Sequence, residues 1–289
     1  MALYRLHRHP PFDRPVLVIA MEGWVDAGLG AAAATAHLLG AVKGDVVATF
    51  DADELLDHRA RRPVAHLVDG INTGLTWPTT EVQAGRDRAG HDVALLVGPE
   101  PDMRWHAFID AVVELATGLG VRLAVGLGAF PAAAPHTRPV RLAASATDPD
   151  LAARVGVIAG SLDVPAGIES ALEVSLGQAG IPAVGLWARV PHYVAAMPYP
   201  AASAALVDGL AAVADLVLDS ATLHRAADLA RQRVDELIAE SEEHREMVRQ
   251  LESRIDTAEG NPLDLGQVPS GDEIAAELER YLRGEQGEH

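Results

Sequence analysis

The 289-residue chain contains no cysteine. That absence excludes a disulfide framework, a cysteine nucleophile and a thiolate metal site, and it suits a cytoplasmic setting. No run of 18 or more apolar residues occurs either, so no membrane span is expected. The most apolar stretches, residues 31–36 and 201–207, are mostly alanine and are interrupted by Thr35 and Ser203. No secretory signal is expected at the start, where a basic segment breaks at Pro10 and Pro11. Basic residues are scarce: 23 Lys and Arg stand against 41 Asp and Glu, and Lys43 is the sole lysine. A net charge of −18 repels a phosphate backbone or an anionic bilayer, so neither nucleic acid nor membrane is an expected partner. The sequence also lacks a phosphate-binding P-loop, a His-Glu-x-x-His zinc motif, a calcium loop and a Gly-x-Ser-x-Gly elbow. No cofactor, metal or catalytic residue is therefore predicted.

What is present is a chain that is 49% hydrophobic and 22% charged, enough to bury a full core unaided. Residues 16–20 are an unbroken apolar run after Pro15, as a strand buried on both faces requires. Residues 45–51, 92–98, 122–126, 140–146 and 181–190 also read as strands, and 64–68 is a further candidate. Helical stretches lie between them. One of about 14 residues starts at Ala27 with Asp26 as its N-cap; others cover 104–118, 165–178 and 199–218. This alternation predicts an α/β core domain over residues 1–219, with a mostly parallel sheet covered on both faces. Residues 16–20, 94–97 and 184–186 belong at its buried centre.

Beyond Asp219 the character changes. Ala230, Val234, Leu237, Ser241, His244, Val248, Leu251 and Ile255 follow 4-3-4-3 spacing, the a and d positions of a heptad pattern. The spacing predicts one helix from Thr222 to about Thr257, roughly 50 Å long. Its narrow seam should dock on its own domain or on another subunit. A Pro/Gly-rich linker follows at 259–270 and a short helix at 272–283. Residues 220–289 thus form a charged helical extension.

Several segments invite chemistry. Gly28-x-Gly30-x-x-Ala33, with Asp51 and Asp53 beyond, approaches the dinucleotide pattern, in which glycines admit a pyrophosphate to a helix N-terminus. Seven residues separate the strand from Gly28, however, so glycines that pack a helix are the expected reading. Glu22, Trp24 and Asp26 occupy the loop at the carboxyl end of the first apolar strand, where α/β sheets bind ligands. His136 and Arg138 lie in one proline-flanked loop, and His192 and Tyr193 follow Pro191 in another. Together these seven residues make a candidate ligand or interface surface on one edge of the sheet. His7 and His9 lack further ligands nearby. Glu169 and Glu173, spaced i, i+4, suit a helix start.

In combination these segments are more specific. Glu22-Gly23-Trp24-x-Asp26-Ala27-Gly28, the His136-Thr137-Arg138-Pro139 loop and Gly160-Ser161-Leu162-Asp163-Val164-Pro165 recur in order. They precede Gly185-Leu186-Trp187-Ala188-Arg189-Val190-Pro191-His192-Tyr193 and Pro198-Tyr199-Pro200-Ala201-Ala202. This order resembles the proteasome assembly chaperone 2 family in its actinobacterial branch, over about residues 17–219. The resemblance implies a three-layer α/β sandwich with a nucleoside-phosphorylase-like layout and a C-terminal helical arm. It further implies homo-oligomers, most simply trimers, and partners related to the proteasome. It carries no catalytic residues. Two functions remain open from sequence: a non-enzymatic oligomeric scaffold for a proteasome-type complex, or an enzyme or sensor holding a nucleoside-like molecule at the strand ends.

Overall fold

The structure, a computed structural model, describes residues 3–156 and 161–258. The chain opens with β1 (Tyr4–Leu6) and β2 (Val16–Glu22), then a 3-10 turn (Ala27–Leu29), α1 (Gly30–Val42), β3 (Asp45–Phe50) and α2 (Ala52–Leu55). It continues with β4 (Val64–Val68), β5 (Ile71–Thr76), β6 (Glu81–Arg86), β7 (Asp92–Pro99), α3 (Trp105–Gly118), β8 (Leu123–Ala132) and β9 (Leu142–Ala146). Then come α4 (Pro149–Val155), α5 (Ile168–Gln178), β10 (Ala183–Pro191), α6 (Pro200–Ala214), α7 (Ala221–Ala239) and α8 (Glu242–Ala258).

Eight strands form one sheet in the order β1-β3-β6-β7-β2-β8-β10-β9. The four neighbours β7, β2, β8 and β10 are mutually parallel. β3 points the same way, while β1, β6 and β9 run against them. The apolar run of β2 explains its central place, because its alternate residues enter two different cores. Val16, Val18 and Ala20 face one layer with Ala34 and Leu38 of α1 and Leu206 and Leu210 of α6. Leu17 and Ile19 face the other with Phe108 and Val112 of α3 and Leu172 and Leu176 of α5. Each fully buried aliphatic side chain contributes about 1.5–3 kcal/mol. A strand buried on both faces therefore gains along its whole length. The result is a three-layer α/β sandwich with a large, mostly parallel sheet.

Two expectations change. Residues 64–68 do form a strand, but outside this sheet: β4 pairs only with β5, in a separate two-stranded hairpin. The turn is Asp69-Gly70, with φ of 50° and 81°, the combination a tight type I′ hairpin demands. The single helix predicted from Thr222 to Thr257 is instead two helices, broken at Glu240-Ser241. Ser241 Oγ accepts the His244 N–H at 3.4 Å, and Glu242 and Glu243 fill the new first turn. A capping serine followed by acids favours a helix start, and that local preference overrides the heptad register. Val234, Val248 and Leu251 of the predicted seam are buried, whereas Leu237 and His244 are exposed. The linker at 259–270 and the final helix at 272–283 lie outside the described residues.

Candidate functional site

Because β2, β7, β8 and β10 are parallel, the segments following their last residues all leave from one edge of the sheet. The first segment holds Glu22, Trp24 and Asp26. Asp26 accepts the N–H groups of Ala31 at 2.7 Å and Ala32 at 3.0 Å, so its carboxylate caps α1 from beyond the 3-10 turn. Both oxygens take part in that cap. Gly28 has φ of 64°, and a Cβ there would sit 2.7 Å from Tyr199 Cβ. A Cβ on Gly30 would meet Ala129 and Ala202 at 3.0 Å. These glycines close-pack a helix against the sheet and leave no room there for a pyrophosphate. The Gly28 amide and carbonyl also bond Ala195 O and Tyr199 N, which joins this loop to the one after β10. Glu22 and Trp24 remain exposed.

His136, Arg138 and Tyr193 form a second group, turned toward the C-terminal helices. Tyr193 Oη accepts the His136 backbone N–H at 2.8 Å and lies 2.7 Å from Nδ1. With the hydroxyl donating to Nδ1, the buried imidazole carries its proton on Nε2 and donates it to Asp235 Oδ1 at 3.0 Å. Burial raises the Tyr193 pKa and pushes Tyr199 up to about 12, so both phenols stay protonated near neutrality. Arg138 clamps Asp256 through Nε at 3.0 Å and Nη2 at 2.7 Å, and reaches Glu252 at 3.2 Å. Thr137 also bonds Glu252. Asp235 and Glu252 are separated by about 25 Å of helix if straight, yet they bond adjacent residues; α8 therefore folds back beside α7. His192 stays exposed, its ring edge-on to Tyr193 at 5.3 Å. The predicted surface thus divides: Glu22, Trp24 and His192 are exposed, while Asp26, His136, Arg138 and Tyr193 are engaged within the chain.

A third feature was only half visible in the sequence. Helix α5 lays Glu169 and Glu173 over Gly126 of β8 and Gly185 of β10, around a cavity of about 10 Å³. That is room for about one water. Glu169 accepts the Met21 N–H at 2.8 Å, and Glu173 accepts from Ser145 Oγ at 2.7 Å. Burial pushes Glu169 up to about 8, helped by the nearby carboxylates of Glu100, Asp26 and Glu173. Burial raises Glu173 as well. The i, i+4 spacing of the two acids was legible, but their glycine floor comes from two distant strands. A wider cleft of about 510 Å³ lies on the opposite edge, between α1 and the segment after α6. Arg88 and His37 there already bond Asp219. Among the described residues no cluster of His, Asp and Glu suits a metal ion, and no helix is long and apolar enough to cross a membrane.

The carboxyl edge also exposes large apolar side chains. Trp24, Val25, Leu29, Met103 and Met197 stand exposed along it, with Leu162 and Val164 before α5. A Cβ on Gly167 would lie 2.9 Å from the Trp24 ring, so the indole rests on the backbone entering α5. Such a rim suits a protein surface better than an enclosed pocket.

Known proteins agree with this architecture. A Mycobacterium tuberculosis protein of unknown function is 37% identical, over 90% of this chain and 93% of its own, with a TM-score of 0.83. A Corynebacterium glutamicum protein, also of unknown function, is 32% identical over 90% and 99%, with a TM-score of 0.84. A second M. tuberculosis protein, a proteasome-assembly chaperone homologue, is 37% identical over 81% and 99%, with a TM-score of 0.75. A search of curated proteins returned no match. The PAC2 family profile matches residues 20–238, which covers the sheet from the end of β2 onward, the carboxyl-edge loops and most of α7: this chain belongs to the PAC2 family.

Proposed function

We propose that the chain is a non-enzymatic scaffold that associates with copies of itself, as a trimer, and assists assembly of a proteasome-type complex. One observation carries this reading. At the carboxyl edge Asp26, His136, Arg138 and Tyr193 are engaged with α1, with one another and with α7 and α8, while large apolar side chains stay exposed beside Glu22 and His192. The likeness to the proteasome-assembly chaperone homologue supports the choice of complex. The α/β core through residue 219 is the assembling unit, and the helical extension braces its edge. Glu22, Trp24 and His192 belong to the contact surface; Asp26, His136, Arg138 and Tyr193 shape it.

The direct test adds purified chain to the dissociated subunits of a proteasome core and follows assembly on native gels. The chain should co-migrate with an intermediate and increase the yield of complete core. No association and no change in yield would overturn the proposal. So would phosphorolysis or hydrolysis of a purine nucleoside that is lost in Glu22→Gln or His192→Ala.

A further inference from the structure

The β4–β5 hairpin is built to stand away from the body. Every residue of both strands is exposed, and neither strand joins the main sheet. Yet it is apolar: Val64, Leu67, Val68, Ile71, Leu75 and Trp77 are between 47% and 68% exposed. Cross-strand partners share a face, so the register assigns these side chains to both sides. Val68 pairs with Ile71, and Val64 lies on the same face by the alternation of β4. Ala65 pairs with Leu75 on the opposite face, where Leu67 joins them. An isolated two-stranded hairpin is marginal in water, and one that is apolar on both sides is stabilised when something covers both.

The same chain carries a surface of matching character. The hairpin is rooted at the carboxyl edge: Arg61 Nε lies 3.3 Å from Asp102, and Thr80 Oγ1 donates to Pro99 O at 2.8 Å. Its root reaches Gly23, where a Cβ would meet Arg61 Nη2 at 2.8 Å, and the apolar rim side chains Trp24, Val25, Leu29, Leu162 and Val164 stay exposed. Charge matches as well. At the hairpin root Arg61 is paired with Asp102, and Asp57 accepts the Arg59 backbone N–H, so the root's unpaired cations are two arginines. Arg59 and Arg62 are exposed and form no ion pair among the described residues. The rim carries the exposed acids Glu22 and Asp163. Two whole surfaces of charge −18 repel, whereas this pairing brings the exposed Arg59 and Arg62 toward the exposed Glu22 and Asp163.

We infer that the hairpin of one copy docks across the Trp24 rim of a second copy. The inference rests on the self-association proposed above and names its contact. Hairpin and rim are different patches, so the contact is heterologous and closes by building a ring, which a trimer satisfies.

The absence of native cysteine makes the test direct. Leu67→Cys and Val25→Cys are made singly in the full chain, mixed and oxidised. A disulfide-linked dimer should form in the mixture and in neither variant alone. In parallel, the Leu67→Glu/Ile71→Glu and Trp24→Glu variants should each shift the molar mass from the oligomer to 30.4 kDa. Their far-UV circular dichroism should match that of the wild-type chain, because the substituted side chains are exposed. A wild-type chain that is itself monomeric sinks the self-association reading. A wild-type oligomer whose mass survives Leu67→Glu/Ile71→Glu overturns the hairpin contact alone. Cross-linking confined to pairs of Leu67→Cys chains overturns the rim as its seat.

Discussion

Asp235 of α7 accepts the proton on His136 Nε2 at 3.0 Å, a bond that ties the helical extension to the loop after β8. One residue further along that loop, Thr137 bonds Glu252, and then Arg138 bonds Glu252 and Asp256. Three consecutive residues therefore hold both helices of the extension.

Arg138→Ala should loosen α8 without disturbing the sheet. Arg138 holds the Asp256 carboxyl below its ordinary value, chiefly through their hydrogen bonds. Because the pair is half-exposed, salt should weaken it. Amide exchange should speed up across residues 242–257 and stay unchanged in β2 and β8. If exchange in α8 does not change, the burial of Val248 and Leu251 alone holds the helix.

Glu169 gives a pH dependence of definite sign. Its folded pKa of about 8 lies above the usual 4.5, so the folded state keeps a proton that the unfolded chain releases. The stability this proton confers is full below pH 4.5 and is lost as pH rises to 8. Glu169→Gln removes that loss while keeping an acceptor for Met21. Relative to wild type, the variant should gain on the order of 2–4 kcal/mol between pH 5 and pH 8. Urea denaturation at both values measures it, and an equal gap at the two would contradict the buried proton.

Two glycines near α1 should respond in opposite directions. Gly28→Ala places a Cβ 2.7 Å from Tyr199 Cβ at a positive φ, and should cost about 1–3 kcal/mol. Gly40→Ala, inside α1 with open space around it, should stabilise by about 0.4–1 kcal/mol. Thermal melts of the two variants compare them, and a stable Gly28→Ala would restore room for a ligand at that turn.

Legibility in the sequence followed the range of the forces involved. β2, β7 and β10 could be read because burial on both faces writes an unbroken apolar run. The role of Gly28 and Gly30 could be read from their distance to the strand. The break at Ser241 was masked by a heptad pattern that continues across it, although Ser241-Glu242-Glu243 carries the capping chemistry. Asp69-Gly70 likewise marked a hairpin whose second strand, β5, went unread because Asn72, Thr73 and Gly74 dilute its pattern. The pairings of His136 with Asp235 and of Glu169 with Gly126 join segments far apart in the chain. Only the folded arrangement brings them together.

Molar mass measures the proposed self-association directly. Light scattering on the wild-type chain at micromolar concentration should give about three times the 30.4 kDa of one copy. A single species of 30.4 kDa would contradict it.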